Sequence, residues 1–271
     1  MALFAGVDSG STSTKAVLLD EGGIIIGTHL VPSGNNFRKS AEVVLHTVMD
    51  KTHSKRDDLA AIVTTGYGRF ISGLNSKAMS EITCCGRGAH YLHSAVRTVI
   101  DIGGQDSKAI KIDGTGKVVQ FSLNDKCAAG TGRFLERIAV SLELDLERMA
   151  GLSVQSQQKL PISSTCVVFA ETEVISRISN GEAIEGIIKG LHSALASRIH
   201  ILAVGLNIEK DILVCGGGAK NAGLVKEIEE LLGEVVLPSG IDPRFVPSIG
   251  AALIARDSQR EQVESKPGES Q

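Results

Sequence analysis

The sequence predicts an α/β protein built from two copies of one β-rich α/β unit that face each other across a cleft. Three observations carry this. Short apolar, β-prone runs broken by Gly-, Ser- and Asp-rich turns open the chain and start again near residue 96. Stretches with helical spacing fill the intervals between them. The second run of strands also repeats the first in register: Asp8, Gly10, Lys15, Ala16 and Asp20 recur as Asp101, Gly103, Lys108, Ala109 and Asp113. In both copies the Asp ends an apolar strand and the Lys begins the next.

Each element follows from local pattern. Residues 3–7, 16–19 and 24–30 read as an antiparallel meander, separated by Gly-Ser-Thr and Glu-Gly-Gly turns. Residues 38–52 have helical spacing, LAAIVTTG (59–66) reads as a buried strand ending in a turn, and a helix is predicted over 79–95. The meander then restarts over 96–121, and a helix begins near Thr131. In 182–206, Ile184, Ile188, Leu191, Leu195, Ile199, Leu202 and Leu206 form one apolar stripe, as a core helix would; His192 and His200 on it have no partner motif and receive no role. ILVCGGGAKN (212–221) is a buried strand running into three glycines and a helix, and PSIGAALIA (247–255) puts small residues on one helix face, where another helix can approach closely. These boundaries give a first subdomain over 1–95, to which the C-terminal helix returns, and a second over 96–255. The tail 256–271 has no core pattern and is expected to be disordered.

Composition excludes several function classes. The 42% hydrophobic and 22% charged fractions are those of an ordinary water-soluble protein. A net charge of −3 is no footprint for nucleic acid or a membrane surface. No signal-peptide pattern precedes the first strand, and no apolar run reaches the ~18 residues of a membrane span. With five cysteines, the chain is expected to be cytoplasmic and free of a disulfide framework. Glycine is over-represented, at 30 residues, as in chains whose tight turns approach a ligand.

Those turns suggest a nucleotide. DSGSTSTK offers backbone amides at Gly10, the hydroxyls of Ser11, Thr12 and Ser13, and the Lys15 cation, which together suit a polyphosphate. Asp8 and Asp101 would repel phosphate unless Mg²⁺ lay between them, since Mg²⁺ prefers oxygen ligands; the plainer reading is Asp as turn former in two hairpins. Gly130, Thr131 and Gly132 open a helix whose unpaired amides could cradle an anion. Gly216, Gly217 and Gly218 would let a flat ring or a sugar approach the backbone. Neither G-x-x-x-x-G-K-[ST] nor a complete G-x-G-x-x-G occurs.

Together these motifs resemble the actin-like (ribonuclease H-like) ATPase superfamily. DSGSTSTK resembles its first phosphate motif and DIGGQD, with Gly103 and Gly104, its second; VCGGGAKN, ending at Asn221, resembles the adenosine motif. CAAGTG and SIGAA resemble its paired connecting helices at the hinge. NDKCAAGTGRFLE (124–136), SSTCVVFAETEVIS (163–176), TTGYGR (64–69) and VIDIGGQDSK narrow the resemblance to the activators of (R)-2-hydroxyacyl-CoA dehydratases and the related ATP-binding subunits of benzoyl-CoA reductase. The resemblance implies ATP and ADP as nucleotides, Mg²⁺, and one 4Fe–4S cluster shared by a homodimer, each chain giving Cys127 and Cys166. It further implies a ferredoxin or flavodoxin as electron donor, and ATP-gated delivery of single electrons to a dehydratase or a related iron–sulfur reductase. Gln105 or Asp106 is the candidate for orienting the attacking water.

Cys127 and Cys166 lie in polar, turn-like surroundings, a poor match to core packing, and four thiolates hold either a 4Fe–4S cluster or zinc. The resemblance selects iron. Cys215 in an apolar strand, and the adjacent Cys84 and Cys85, are left outside the ligand set. Two rival readings remain: a small-molecule kinase of the same superfamily, which would leave both thiols idle, and a non-catalytic ATP-dependent scaffold.

Overall fold

The computed structural model describes residues 2–74, 76–163 and 166–264, without the side chains of 262–264. The chain divides into two compact units: Met1–Ser94 with Thr115–Lys117 and Arg244–Gln271, and Ala95–Gly114 with Val118–Pro243.

The first unit contains β1 (Leu3–Ser9), β2 (Ser13–Leu19), β3 (Ile25–Pro32), α1 (Phe37–Lys51), β4 (Leu59–Thr65), β5 (Lys77–Ala78) and α2 (Glu81–Leu92). Its sheet has the order β3-β2-β1-β4-β5, with β1 antiparallel to β2 and parallel to β4. Every residue of β1 is buried, because helices cover both faces of this central strand. On one face Ala5, Val7, Ala16 and Leu18 share a core with Ala41, Val44, Leu45 and Val48 of α1. Asn36 caps α1, its Oδ1 accepting from Lys39 N at 3.0 Å.

The other face of β1 meets a helix from the far end of the chain, which the second unit separates from the rest in sequence. With the elements of that second unit counted first, this last helix is α8 (Val246–Glu264). A side chain at Gly6 would lie 2.0 Å from Ser248 O. The small-residue face expected over 247–255 serves the close helix approach it implied: a Cβ on Gly250 would sit 1.8 Å from Cys84 O, and one on Gly88 2.0 Å from Val246 O.

Residues 256–264, expected as disordered tail, instead continue α8; 265–271 lie outside the described residues. Polar anchors explain why apolar periodicity missed this stretch. Arg87 pairs with Asp257 at 2.8 Å, Arg256 donates to Gly22 O, and Arg260 donates to Glu21 O at 2.6 Å.

The second unit contains β6 (Thr98–Ile102), β7 (Ser107–Ile112), β8 (Val118–Asn124), α3 (Gly132–Ser141), α4 (Leu146–Gln155), α5 (Val167–Ser179), α6 (Ile184–Val204), β9 (Ile212–Cys215) and α7 (Ala222–Leu232). Its sheet order, β8-β7-β6-β9, repeats β3-β2-β1-β4 with the same antiparallel and parallel pairings. By length and composition α6 is apolar enough to cross a membrane, a property the reading of apolar runs did not register. Its packing accounts for that composition. Ile188, Leu191, Leu195 and Ile199 lie in one core with Ile100 and Ile102 of β6, Phe134 of α3 and Leu224 of α7. Each such side chain taken out of water contributes about 1.5–3 kcal/mol before entropy is counted.

Candidate functional site

The sequence repeat becomes a structural one at the two Asp–Lys turns. In the first unit Asp8 on β1 is the register partner of Lys15 on β2; in the second, Asp101 on β6 is the partner of Lys108 on β7. Cross-strand neighbours on one sheet face lie close enough for a charge pair. Lys15 Nζ donates to Asp8 Oδ2 at 2.8 Å, and Lys108 Nζ to Asp101 Oδ2 at 3.1 Å. Both aspartates are buried. The first turn is braced from outside the motif: Ser33 Oγ donates to Gly10 O at 2.5 Å and lies 2.8 Å from Thr14 Oγ1. Asp8 Oδ1 is buried without a hydrogen-bond partner, an arrangement that favours a cation or a bound water over an empty turn.

The duplication extends to residues that the sequence repeat does not contain. Thr65 pairs with Asp8, and Cys215 with Asp101, each from the parallel neighbouring strand. The next residue in each case is a glycine with positive φ, +82° at Gly66 and +80° at Gly216. A Cβ there would lie 2.3 Å from Asp8 Oδ1 or 2.5 Å from Asp101 Oδ1. Both turns therefore need a residue with no side chain and a left-handed backbone. TTGYGR thus supports the first turn from behind, and Gly68 N donates to Ser9 O at 2.8 Å.

The two turns differ in charge. Five residues past the strand-end aspartate the first has Ser13, whereas the second has Asp106, which shares Lys108 at 2.9 Å. The first turn balances one acid against one base among hydroxyls, and the second holds two acids against one base. Gln105 is exposed at the tip of the second turn.

The thiol turn belongs to the second unit and is bonded to its Asp turn. Gly132 N donates to Gly103 O at 2.9 Å and Arg133 N to Gly104 O at 3.0 Å. Ser107 Oγ donates to Gly130 O at 2.7 Å. The open amide cradle expected at Gly130, Thr131 and Gly132 is therefore corrected: Gly130 N and Thr131 N are also engaged, by Cys127 O and Ala128 O. The helix start is used to hold one turn against another, a contact between residues some thirty positions apart that local motif reading cannot supply.

Cys127 and Cys166 both stand at helix N-cap positions with extended backbone, the first before the short helical turn Ala128–Gly130, the second before α5. Both are half-buried, whereas Cys84, Cys85 and Cys215 are fully buried. Burial pushes the Cys84 thiol up to about 12, so it stays protonated and inert. Asn124 clamps the Cys127 backbone, accepting from its N at 3.3 Å and donating to its O at 2.9 Å. The approach to Cys166 is tied to α5: Ser163 N donates to Glu173 Oε2 and Arg177 Nη2 to Pro161 O, each at 2.7 Å.

The three glycines after β9 have separate reasons. Gly216 faces Asp101, and Gly218 lies against β6, where a Cβ would meet Ile102 Cγ2 at 2.4 Å. Gly217 alone of the three borders open space, so close ligand approach is available at that residue. Asn221 is buried and its amide is engaged at both ends. Oδ1 caps α7, accepting from Leu224 N at 3.0 Å, and Nδ2 donates to His192 Nε2 at 3.0 Å. This fixes the His192 tautomer, with the proton on Nδ1, a buried atom without a partner. Burial pushes this imidazole down to about 4. His192 thus has a role that its isolation in the sequence concealed.

Comparison with known proteins places these features. Residues 5–255 match the model of the BadF/BadG/BcrA/BcrD ATPase family. The activator of lactoyl-CoA dehydratase from Anaerotignum propionicum is 45% identical over 253 residues, covering 93% of this chain and 97% of its own. The (R)-2-hydroxyglutaryl-CoA dehydratase activating ATPase of Acidaminococcus fermentans is 42% identical over 251 residues, with 92% and 95% covered. The solved activator of the 2-hydroxyisocaproyl-CoA dehydratase from Clostridium difficile with bound ADPNP superposes with a TM-score of 0.91 at 37% identity, over 99% of this chain and 100% of its own. The duplicated sheet order is that of the actin-like ATPase fold, which solved structures of far lower identity share. On both the matched span and the identity to these relatives, the chain belongs to the BadF/BadG/BcrA/BcrD ATPase family.

Proposed function

We propose that this protein is an ATP-dependent activator that passes single low-potential electrons to a 2-hydroxyacyl-CoA dehydratase. The observation that carries the proposal is the bonding of the thiol turn to the second Asp turn through Gly132, Arg133 and Ser107. Any nucleotide-dependent shift of Gly103 and Gly104 moves the start of α3 with it, and Cys127 precedes that start. A kinase gives no reason for two half-buried thiols at helix caps, one of them joined to a nucleotide turn.

In the first unit Asp8, through its unpartnered Oδ1, offers a carboxylate to the Mg²⁺ that accompanies ATP, and in the second unit Asp101 is the candidate of the same type. Ser11, Thr12, Ser13 and Lys15 receive phosphate oxygens, Gly217 gives the adenosine its close approach, and Gln105 or Asp106 orients the attacking water. Cys127 and Cys166 are the thiolates of the iron–sulfur centre. Among the described residues no three His, Cys, Asp or Glu side chains gather as a metal site, so four thiolates require a second copy of the chain about a twofold axis. Val168 and Phe169, just past Cys166, are 65% and 66% exposed and support such pairing. When bound, the 4Fe–4S cluster supplies a one-electron carrier. A ferredoxin or flavodoxin gives the electron, hydrolysis of ATP to ADP and phosphate resets the conformation, and the cytoplasm keeps the thiols reduced.

The test is anaerobic purification followed by an assay of dehydratase reduction with a strong one-electron donor, with and without ATP. Expected are four irons per two chains and reduction that needs ATP. Asp8→Asn should lower hydrolysis by about 10²–10³-fold, keep the iron–sulfur spectrum and abolish electron delivery. Delivery at the wild-type rate by Asp8→Asn, or colourless protein that phosphorylates an added acceptor, would overturn the proposal.

A further inference from the structure

Arg198 lies on α6, where that helix packs against the thiol turn. Its Nη1 donates to Cys127 Sγ at 3.8 Å, and its Cδ stands 3.9 Å from where a Gly130 side chain would begin. Asn124 holds the amide and carbonyl of Cys127, and the guanidinium reaches its sulfur. On α5, the helix that Cys166 caps, the cation of the last turn is used differently: Arg177 is bound to Glu173, Glu182 and Pro161 O. Arg198 also shares its helix with His192, six residues earlier and about 9 Å along the axis, and His192 holds Asn221 of the adenosine loop. One helix therefore touches both the loop after β9 and the Cys127 sulfur.

We infer that Arg198 is a positioning residue for the electron-transfer centre, which directs permanent positive charge onto the Cys127 sulfur and so raises the reduction potential of the 4Fe–4S cluster held there. The inference rests on the reading of Cys127 as an iron ligand. A guanidinium stays charged at every working pH. A donor aimed at a ligand sulfur, like any nearby positive charge, favours the form that carries the extra electron. In a centre shared by two chains, two copies of Arg198 act together. The site thereby gains a brake on how reducing the carrier becomes at rest.

The experiment compares wild type, Arg198→Lys and Arg198→Gln as anaerobically loaded dimers. Iron content is measured by analysis, and the reduced-to-oxidised ratio by absorbance at a series of fixed dye potentials. Arg198→Gln should retain its iron and show a ratio about tenfold lower at the same potential, a downward shift of about 59 mV for one electron. Arg198→Lys, which keeps the charge, should stay within about twofold of wild type, as a charge effect requires. A wild-type ratio in iron-replete Arg198→Gln would overturn the inference. If Arg198→Gln loses its iron, iron-replete Arg198→Met takes its place: a ratio about tenfold lower upholds the inference, and a wild-type ratio there, or a tenfold drop in Arg198→Lys, overturns it. Wild-type protein that takes up no iron would overturn the proposed function itself, and this inference with it.

Discussion

The two Asp–Lys turns are built on one plan and differ in charge. Both place an aspartate at the end of the central strand, a lysine opposite it and a left-handed glycine behind it. Yet Asp8 has one cation to itself, whereas Lys108 is divided between Asp101 and Asp106. A charge-balanced turn rich in hydroxyls suits phosphate oxygens; a turn with surplus carboxylate suits a metal ion or the positioning of water. Duplication thus supplied the geometry twice, and substitutions at a few turn positions separated the chemistry.

The sharpest way to break the comparison is to neutralise each aspartate. Asp8→Asn leaves Lys15 mostly buried without its carboxylate, and should cost about 3–4 kcal/mol of stability in calorimetry. Asp101→Asn leaves Lys108 its bond to Asp106 and should cost about 1 kcal/mol. Equal losses would mean that the second acid does not share the lysine.

Acid separates the two units next. Among the described residues His192 is the only fully buried histidine, and it belongs to the second unit. Its folded value of about 4 lies below the ordinary imidazole value of 6.5, so the unfolded chain binds the extra proton first. Stability is therefore full above pH ~6.5, falls as pH drops towards about 4, and levels off below that, by about 3 kcal/mol in total. Thermal melts from pH 7 to 4 should show this loss in the wild type and a flatter profile in His192→Gln; an unchanged profile would remove His192 as its source.

The smallest effect comes from exchanging the charge pattern. Ser13→Asp gives the first turn the acid of the second, and should weaken nucleotide affinity about tenfold, about 1.4 kcal/mol, as read by titration calorimetry with a non-hydrolysable ATP analogue. Unchanged affinity would show that phosphate does not sense the charge of this turn.

The sequence by itself determined both strand meanders, most of the helices and the Asp–Lys repeat, since strand period, turn residues and a five-residue register are local properties; β5, α4 and α5 were not read from it. It also separated Cys127 and Cys166 from the three core cysteines, because polar turn neighbours differ visibly from an apolar strand. The same local reading missed the last turns of α8, held by Arg87, Arg256 and Arg260 instead of an apolar stripe.

Only the tertiary structure decided the rest. Gly66 and Gly216 are equivalents, but the strands that carry them reach their aspartates after different insertions, α1 in one unit and α3 to α6 in the other, so no common spacing survives in the chain. The amides of Gly130, Thr131 and Gly132 are open by local pattern, yet the folded chain occupies them with Cys127 O, Ala128 O and Gly103 O. His192 and Arg198 carried no motif, and acquired partners at Asn221 and Cys127 because α6 passes beside both. A residue's type and immediate neighbours fix what it can bond to; the packing of distant segments decides which of those bonds it makes.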